Sequence, residues 1–192
     1  KYAYMKIIPA RPEDSHLIGE SVVEAIGIEI AQNLAGENHT LEDVVDMFAM
    51  LAKRDDTQYS YTNTLVALDD RGNPVGVCVG YDGARLHELR LPFFEAVSSC
   101  LGLSLEGVED ECDAEEFYLD TLAVLPEYRG KGIASELLKE SIKRAAKCGK
   151  PAGLLVDPVN PKARRLYERV GFTKVGDRPF VHVMMDHMQY LG

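Results

Sequence analysis

Residues 129–134, Arg-Gly-Lys-Gly-Ile-Ala, have the composition of a phosphate-binding loop. Gly130 and Gly132 lie between an apolar, strand-like stretch and a helix-like one. Glycines let backbone N–H groups approach phosphate oxygens closely, and the first turn of a helix adds a favourable dipole. Residues 127–150 also carry seven basic and three acidic side chains, a local +4 in a chain of formal net charge -10. The segment therefore predicts a binding site for a phosphate-bearing ligand.

Three nucleotide-binding patterns can be compared with this loop. A Walker A loop requires GxxxxGK[ST], and the sequence contains no such string. A Rossmann fingerprint requires GxGxxG, but Ser135 occupies the third glycine position and the loop lies late in the chain. The third pattern, Arg/Gln-x-x-Gly-x-Gly/Ala, is satisfied by Arg129, Gly132 and Ala134. The sequence therefore favours the third pattern.

This third pattern resembles the acyl-CoA signature of the GCN5-related N-acetyltransferases, the GNAT family. A later segment resembles the second signature of that family, and the matching residues are Asn160, Ala163, Tyr167, Gly171 and Phe172. Close similarity covers about residues 117–172. The resemblance implies the GNAT fold over a single domain, 1–192: an α/β protein with a central mixed β-sheet, splayed at the acyl-CoA site and flanked by helices. Residues 85–116 match no part of that pattern and predict an insertion on the substrate side, partly helical.

The resemblance also implies acetyl-CoA as the co-substrate. Leu122 and Val124 would supply backbone groups to the pantetheine arm, and residues 129–134 would hold the pyrophosphate. Asn160 would bond the arm. The full set implied to bind acetyl-CoA is Leu122, Ala123, Val124, Arg129, Gly130, Lys131, Gly132, Ile133, Ala134, Ser135, Asn160 and Ala163. Tyr167 would lie near the sulfur as a hydrogen-bond donor or general acid; the alternative is a core tyrosine whose hydroxyl is satisfied elsewhere.

The reaction implied is direct attack of a primary amine on the thioester, with the oxyanion stabilised by a backbone N–H group at the end of a strand. An alkyl amine with a pKa of about 10.4 is almost fully protonated at pH 7, so some group must take a proton. Asp120 is the candidate for this base. Tyr118 would share its strand face, and Glu116 would be a further carboxylate, because residues two apart on a strand point together. Asp120 could instead be an exposed strand carboxylate or a salt-bridge partner.

Eight acidic side chains and no basic one lie between Ser104 and Asp120. Such a segment is either a solvated acidic loop or a region whose negative potential attracts a cationic amine. We therefore expect an N-acetyltransferase whose partner is a small cationic amine. The alternatives are acetylation of a protein lysine or N-terminus, a non-catalytic acyl-CoA-binding module, and a dinucleotide oxidoreductase.

Hydrophobic periodicity assigns these residues to alternating strands and helices. Strands are predicted at residues 4–8, 64–68, 74–81, 117–124, 153–157, around 175, and at 181–185. Helices are predicted around residues 17–26, after a capping-box-like pair at Thr40 and Asp43, from Ile133 to about Gly149, and at 161–171. The strand at 117–124, the glycine loop and the two helices that follow must together position the site.

Composition limits the remaining partners. A formal net charge of -10 and a pI near 5.0 argue against nucleic acids and anionic membranes, which are themselves negative. The four cysteines form no CxxC pair and the five histidines have no ligand-like spacing, so no metal site is predicted. No apolar run approaches the length that crosses a bilayer, and no leader pattern is visible. We expect a cytoplasmic protein, and a homodimer is left open.

Overall fold

A computed structural model describes residues 6–192. Seven strands form one sheet: β1 (Lys6–Pro9), β2 (Thr64–Leu68), β3 (Pro74–Asp82), β4 (Phe117–Val124), β5 (Ala152–Val156), β6 (Phe172–Phe180) and β7 (Val183–Tyr190). Their order across the sheet is β1-β2-β3-β4-β5-β7-β6, and among these strands β4 and β5 form the parallel pair. The predicted mixed α/β fold is confirmed.

Helices cover both faces of the sheet. They are α1 (Ser15–Ile26), α2 (Ile28–Ala35), α3 (Leu41–Ala52), α4 (Leu86–Leu101), α5 (Ile133–Lys147) and α6 (Pro161–Val170). Strand β3 shows why two cores form, since Val77 and Val79 are buried against α1, α3 and α4, whereas Cys78 between them is buried against α5. Successive strand residues point to opposite faces, so a strand buried on both sides contains a continuous apolar run.

Local capping fixes where two of the helices begin. Thr40 Oγ1 accepts a hydrogen bond from the Asp43 N–H (3.2 Å), and the Thr40 N–H donates to Asp43 Oδ2 (2.7 Å), which is the predicted capping box of α3. Helix α6 begins behind Asn160, whose Oδ1 accepts from the Ala163 N–H (3.1 Å). It ends at Gly171, whose φ of +112° favours glycine.

The sheet opens between β4 and β5. These strands pair at two positions, Phe117 with Ala152 and Tyr118 with Gly153. Strand β3 continues to pair with β4 as far as Val124, and β7 pairs with β5 along its whole length. The edge of β4 beyond Tyr118 that faces β5 therefore has no strand partner. This is the splayed sheet that the sequence predicted.

A buried carboxylate holds the point where the two strands diverge. Glu116 is fully buried, and its Oε2 accepts hydrogen bonds from His187 Nε2 and Gln189 Nε2 of β7, both at 2.8 Å. Its Oε1 accepts from the Asp113 N–H at 3.0 Å, and these contacts hold the pKa of Glu116 below its ordinary value against the opposing effect of burial. A Cβ atom on Gly153 would lie 1.8 Å from Glu116 Oε2, so only glycine fits opposite this carboxylate.

Several elements differ from the sequence prediction. The predicted first strand included Tyr4, which lies outside the described residues. Helix α2 was not predicted. It follows α1 after a single residue, Gly27, whose φ of +87° ends α1 and starts a separate helix. Residues 181–182, predicted as strand, instead form the β6–β7 turn, where Val181 and His182 both have positive φ; β7 then continues to Tyr190.

The segment 85–116 is partly helical, as predicted, but its helix belongs to the core. Helix α4 packs Ala96, Val97 and Leu101 against the cluster formed by α1–α3. It ends at Gly102, which has a φ of +68°. The remaining acidic residues form no regular helix or strand before β4. This loop returns the chain to the centre of the sheet.

We predict that Gly153→Ala lowers the free energy of unfolding by about 3 kcal/mol, because the added methyl group must displace the buried Glu116 carboxylate. The melting temperature should fall by roughly 6–12 °C. Gly176→Ala in β6 is the matched control, because a Cβ there meets no heavy atom within 4 Å. Thermal and denaturant unfolding of both variants measure the effect. Equal, small losses in both would contradict the role given to Gly153.

Candidate active site

A cleft of about 990 Å³ lies where the sheet opens, between the N-terminus of α5 and helix α6. Its walls are Val124, Tyr128, Arg129, Gly130, Lys131, Gly132, Ile133, Ala134, Ser135, Glu136, Lys162, Ala163, Leu166 and Arg169. This set contains the whole predicted glycine loop and the predicted residues Val124, Ser135 and Ala163. Leu122 and Ala123 lie just before Val124 on β4, paired with Cys78 and Val77 of β3.

The backbone of the glycine loop suits an anion. Gly130 and Gly132 have φ values of +75° and +86°, where residues with a Cβ are strained, and a Cβ atom at either position would meet no heavy atom within 4 Å. The first hydrogen bond at the start of α5 runs from the Glu136 N–H to the Gly132 carbonyl (3.2 Å). The N–H groups of residues 133–135 precede it and have no acceptor within the helix. They lie beside the cleft and can donate to phosphate oxygens.

The side chains of the loop brace it rather than project freely into the cleft. Arg129 Nε donates to the Val124 carbonyl at 2.9 Å, and its guanidinium also pairs with Glu24 of α1. The Val124 carbonyl is therefore occupied by Arg129. Lys131 Nζ lies 4.7 Å from the centre of the Tyr128 ring. These contacts tie the loop to the end of β4 and to α1.

Positive charge reaches the cleft from helix α6 as well as from Arg129 and Lys131 of the predicted loop. Among the basic residues of 127–150, Lys139, Lys143 and Lys150 pair with carboxylates. Lys162 and Arg169 of α6 also line the cleft, and neither forms an ion pair with another described residue. The two are seven positions apart and share one helix face. Two basic residues seven positions apart, in the helix that follows the Asn160 cap, are the feature of the sequence that could have identified this pair.

The second signature contributes a cap and a free hydroxyl. The Asn160 side-chain oxygen caps α6, so its amide N–H₂ group is what remains for a ligand. Tyr167 is half-buried, with its ring edge-on to Phe172 at a centroid distance of 6.1 Å. Its hydroxyl has no hydrogen-bond partner among the described residues, and burial raises the pKa of Tyr167 to about 12. At neutral pH this group is a protonated donor.

Asp120 occupies an irregular position in β4. Val79 of β3 pairs with Thr121, and the next residue, Gly80, pairs with Leu119. Asp120 therefore has no partner in β3 and forms a β-bulge, a feature that redirects side chains. Its Oδ2 accepts hydrogen bonds from Tyr81 OH (3.1 Å) and Gln58 Nε2 (3.3 Å), and its Oδ1 accepts from Thr121 Oγ1 (2.9 Å).

A second carboxylate adjoins Asp120. Glu111 Oε1 accepts from the same two donors, Tyr81 OH at 3.2 Å and Gln58 Nε2 at 3.3 Å. Glu111 Oε2 accepts from Arg90 at 3.0 Å. Burial, followed by the negative charge of Glu111, raises the pKa of Asp120 from 3.8 to about 6. The carboxylate is still mainly ionised at pH 7 but is a stronger base than an ordinary aspartate.

The structure changes the reading of the acidic segment. Arg90 pairs with Asp110 and Glu111, and Arg178 of β6 pairs with Asp113 at 2.6 Å. Glu116, expected beside Asp120, is instead bound by β7 and does not join it. Two arginines from elsewhere in the chain therefore offset two of the eight negative charges between residues 104 and 120. Tyr118 does lie with Tyr81, at a ring-centroid distance of 5.9 Å.

A mixed sheet opened beside a glycine loop and a helix N-terminus is an architecture suited to an α/β protein that takes a phosphate-bearing ligand. The sequence model of the acetyltransferase (GNAT) family matches residues 31–172. The chain belongs to this family, whose members are acetyl-CoA-dependent N-acetyltransferases. The resemblance inferred from the two signatures is confirmed.

Individual relatives agree with this assignment. Acetyltransferase Atu2258 of Agrobacterium fabrum is 46% identical over 59 residues, which is 31% of this chain and 42% of that protein, so the match spans less than half of the curated relative. The crystal structure of an acetyltransferase, 31% identical, superimposes with a TM-score of 0.76 over 96% of this chain and 97% of that one. An N-acetyltransferase from Staphylococcus aureus Mu50, 24% identical, has the same fold, with a TM-score of 0.74 over 96% of this chain and 99% of that one.

The helices also bear on membrane association. Among the described residues, no helix combines the length and apolar composition that a bilayer crossing requires.

We predict that Gly132→Val weakens acetyl-CoA binding at least tenfold, because a branched side chain at positive φ distorts the loop that presents the N–H groups. Gly72→Val is the matched control, since Gly72 has a similar φ of +83° and equally open surroundings but lies in the β2–β3 turn. Both variants should lose similar stability in thermal unfolding. Calorimetric titration with acetyl-CoA should separate them, and equal affinities would refute the role of the loop.

Proposed function

We propose that this protein transfers the acetyl group of acetyl-CoA to the primary amine of a small cationic acceptor, by direct attack and without a covalent enzyme intermediate. The observation that carries the proposal is Asp120, a partly buried carboxylate with a raised pKa on the strand that borders the opened sheet. Such a carboxylate is suited to accept a proton from an amine. The surrounding burial favours a compact acceptor over a folded protein surface.

The cleft fits the acetyl-CoA that this family uses. The N–H groups of residues 133–135, together with Lys162 and Arg169, would hold its phosphates. The unpaired edge of β4 beyond Tyr118 would hydrogen-bond its pantetheine arm. The bound co-substrate supplies an acetyl thioester. The acceptor nitrogen must then lose two protons, since an ammonium ion carries three N–H bonds and the amide one, and the chain's own groups must take the first of them and stabilise the charge that develops on the sulfur.

Asp120 would take the proton. An alkylammonium ion has a pKa of about 10.4, so its deprotonation by an ordinary aspartate is strongly uphill. Raising the pKa of Asp120 to about 6 narrows that gap. The N–H bond breaks and an O–H bond forms on Asp120. The freed nitrogen lone pair forms the C–N bond, and the tetrahedral intermediate collapses as the electrons of the breaking C–S bond go to sulfur. The second proton leaves the nitrogen in this collapse and goes to the sulfur, so the products are the amide and the free thiol.

Tyr167 would stabilise the departing sulfur. Its pKa of about 12 lies above the thiol value of about 8.5, so complete proton transfer to the thiolate would be uphill by roughly 5 kcal/mol. A hydrogen bond that strengthens as charge builds on sulfur carries no such cost. Its unpartnered hydroxyl on α6 supports this role.

We predict that kcat/KM rises with pH through a limb near pH 6, because the base acts in its ionised form, which predominates above the pKa of Asp120. Asp120→Asn should remove that limb and lower kcat about 10²-fold or more. The measurement is thiol release from acetyl-CoA against a panel of primary amines, with acetyl-CoA saturating. Absence of thiol release with every amine, alongside intact acetyl-CoA binding, would identify a non-catalytic acyl-CoA-binding module instead.

We predict that Tyr167→Phe lowers kcat by about 10²-fold if chemistry limits turnover, while the acetyl-CoA dissociation constant stays nearly unchanged. The hydroxyl interacts most strongly when the C–S bond breaks, and the ring that packs on Phe172 is retained. Tyr190→Phe is a suitable control, since Tyr190 also packs edge-on against Phe172. Wild-type kcat in the Tyr167 variant would leave Tyr167 a packing residue.

A further inference from the structure

A polar cluster behind Asp120 remains unexplained by acetyl-CoA binding. Gln58, Glu111 and Arg90 are 2%, 3% and 7% exposed, yet none of them contacts the acetyl-CoA cleft. Apolar side chains surround them, including Leu86, Leu89 and the rings of Tyr81 and Tyr118. Burying polar groups costs free energy unless their hydrogen bonds are complete. A group this deep therefore calls for an account of every donor and acceptor.

The hydrogen bonds of the cluster are incomplete, because one donor, Arg90 Nε, and one acceptor, the Gln58 side-chain oxygen, are both buried without a partner among the described residues. Gln58 Nε2 and Tyr81 OH each lie within 3.3 Å of both Glu111 Oε1 and Asp120 Oδ2. The Gln58 amide has one N–H for each carboxylate, whereas the single hydroxyl proton of Tyr81 must be shared between them. The oxygen of the same Gln58 amide is buried and has no hydrogen-bond partner among the described residues. An unsatisfied buried acceptor ordinarily costs about 1–3 kcal/mol.

The charges are also incomplete. Arg90 pairs with Glu111 on one side and with Asp110 on the other, so it cannot neutralise both these carboxylates and Asp120. The other titratable groups facing Asp120 are the hydroxyls of Tyr59, Tyr81 and Tyr118 and the thiol of Cys112. The pKa of each is raised by burial and by the neighbouring negative charge, so all four are neutral at pH 7. Within the set formed by Glu111, Asp120 and Arg90, the two carboxylates exceed the one guanidinium by one negative charge, and the more exposed Asp110 competes for the same guanidinium.

We propose that Gln58, Glu111 and Asp120 form the subsite that holds the ammonium group of the amine acceptor, a proposal that rests on the acetyl transfer proposed above. A primary ammonium ion brings one positive charge and three N–H donors with no acceptor. Those donors match the unpartnered Gln58 oxygen and one oxygen from each carboxylate. Asp120 is the partly exposed member of this set and would give the subsite its access from outside.

Within this subsite the two carboxylates have different tasks. Asp120 touches the reacting nitrogen and takes its proton. Glu111 is a positioning residue: Arg90 holds one of its oxygens, and the other faces the ammonium ion beside Asp120. Because Glu111 comes from the acidic segment before β4, that segment determines the substrate class. It selects primary amines that enter as cations and disfavours neutral acceptors.

The test compares Glu111→Gln with Asp110→Asn. Both variants remove one negative charge from a partner of Arg90, at neighbouring positions, but Asp110 makes no contact with Asp120. With the best amine of the panel, Glu111→Gln should raise the KM for amine at least tenfold, leave acetyl-CoA affinity unchanged, and move the acid limb of kcat/KM below pH 6. The limb moves down because Glu111 is, after burial, the second cause of the raised pKa of Asp120, and its charge is gone in this variant. Asp110→Asn should leave the limb in place.

A second measurement needs neither a variant nor turnover. Wild-type protein without acetyl-CoA should bind n-butylammonium chloride at pH 7.5 in ligand-observed NMR, and n-butanol at least tenfold more weakly. Equal binding of the two probes would overturn the subsite. Equal effects of the two substitutions would also overturn it, and would indicate that the acidic residues act through long-range electrostatic attraction instead. Failure of acetyl-CoA to bind, or of every amine to react, would instead count against the proposed function. If Glu111→Gln does not fold, the comparison of the two probes decides.

Discussion

The two-position pairing of β4 with β5 is the constraint on which the rest of the structure depends. A sheet normally satisfies its backbone groups by continuing the ladder, and here the ladder stops after Tyr118 and Gly153. What makes the stop abrupt is Glu116, which ties the start of β4 to β7 and permits only glycine at position 153. From that point the strands separate, one bordered by the glycine loop and the other followed by α6. The cleft proposed to hold acetyl-CoA is the space that this separation creates.

Strand β4 links the two halves of the proposed chemistry. On one side of the sheet, the loop and the start of α5 follow directly from Val124, with Arg129 fastened to the Val124 carbonyl. On the other side, the bulge directs Asp120 toward Tyr81, Gln58 and Glu111. A thioester lying along the open edge of β4 would thus lie close to the proposed base, Asp120, whose side chain is on the face of the sheet opposite α5. The acidic loop and α4 matter because they enclose that base and raise its pKa.

The sequence predicted what local patterns can encode. Two signatures between residues 129 and 172 identified the family, and capping at Thr40 and Asn160 located helix starts. Contacts between distant segments were not predictable in this way. Arg90 meets Glu111 across 21 positions and Gln58 meets Asp120 across 62, so the acidic stretch looked unpaired. Lys162 and Arg169 were missed because the charges of the loop itself are the stronger local signal, whereas these two act from a separate helix that only the fold brings to the cleft.

The bulge at Asp120 has a consequence for how β4 can change over evolution. Before it, Phe117 and Leu119 face α5; after it, Leu122 and Val124 do, so odd and even positions exchange faces at one residue. The strand thus consists of two halves that meet at Asp120, with odd-numbered residues facing α5 in the first half and even-numbered residues facing it in the second. Deletion of one residue at Asp120 would turn every side chain of one half to the opposite face of the sheet, because side chains alternate along a strand. Substitutions within either half would leave the orientation of the other half unchanged. The half of β4 before Asp120 can therefore change in sequence while the half after it, which leads into the glycine loop proposed to bind acetyl-CoA, stays the same.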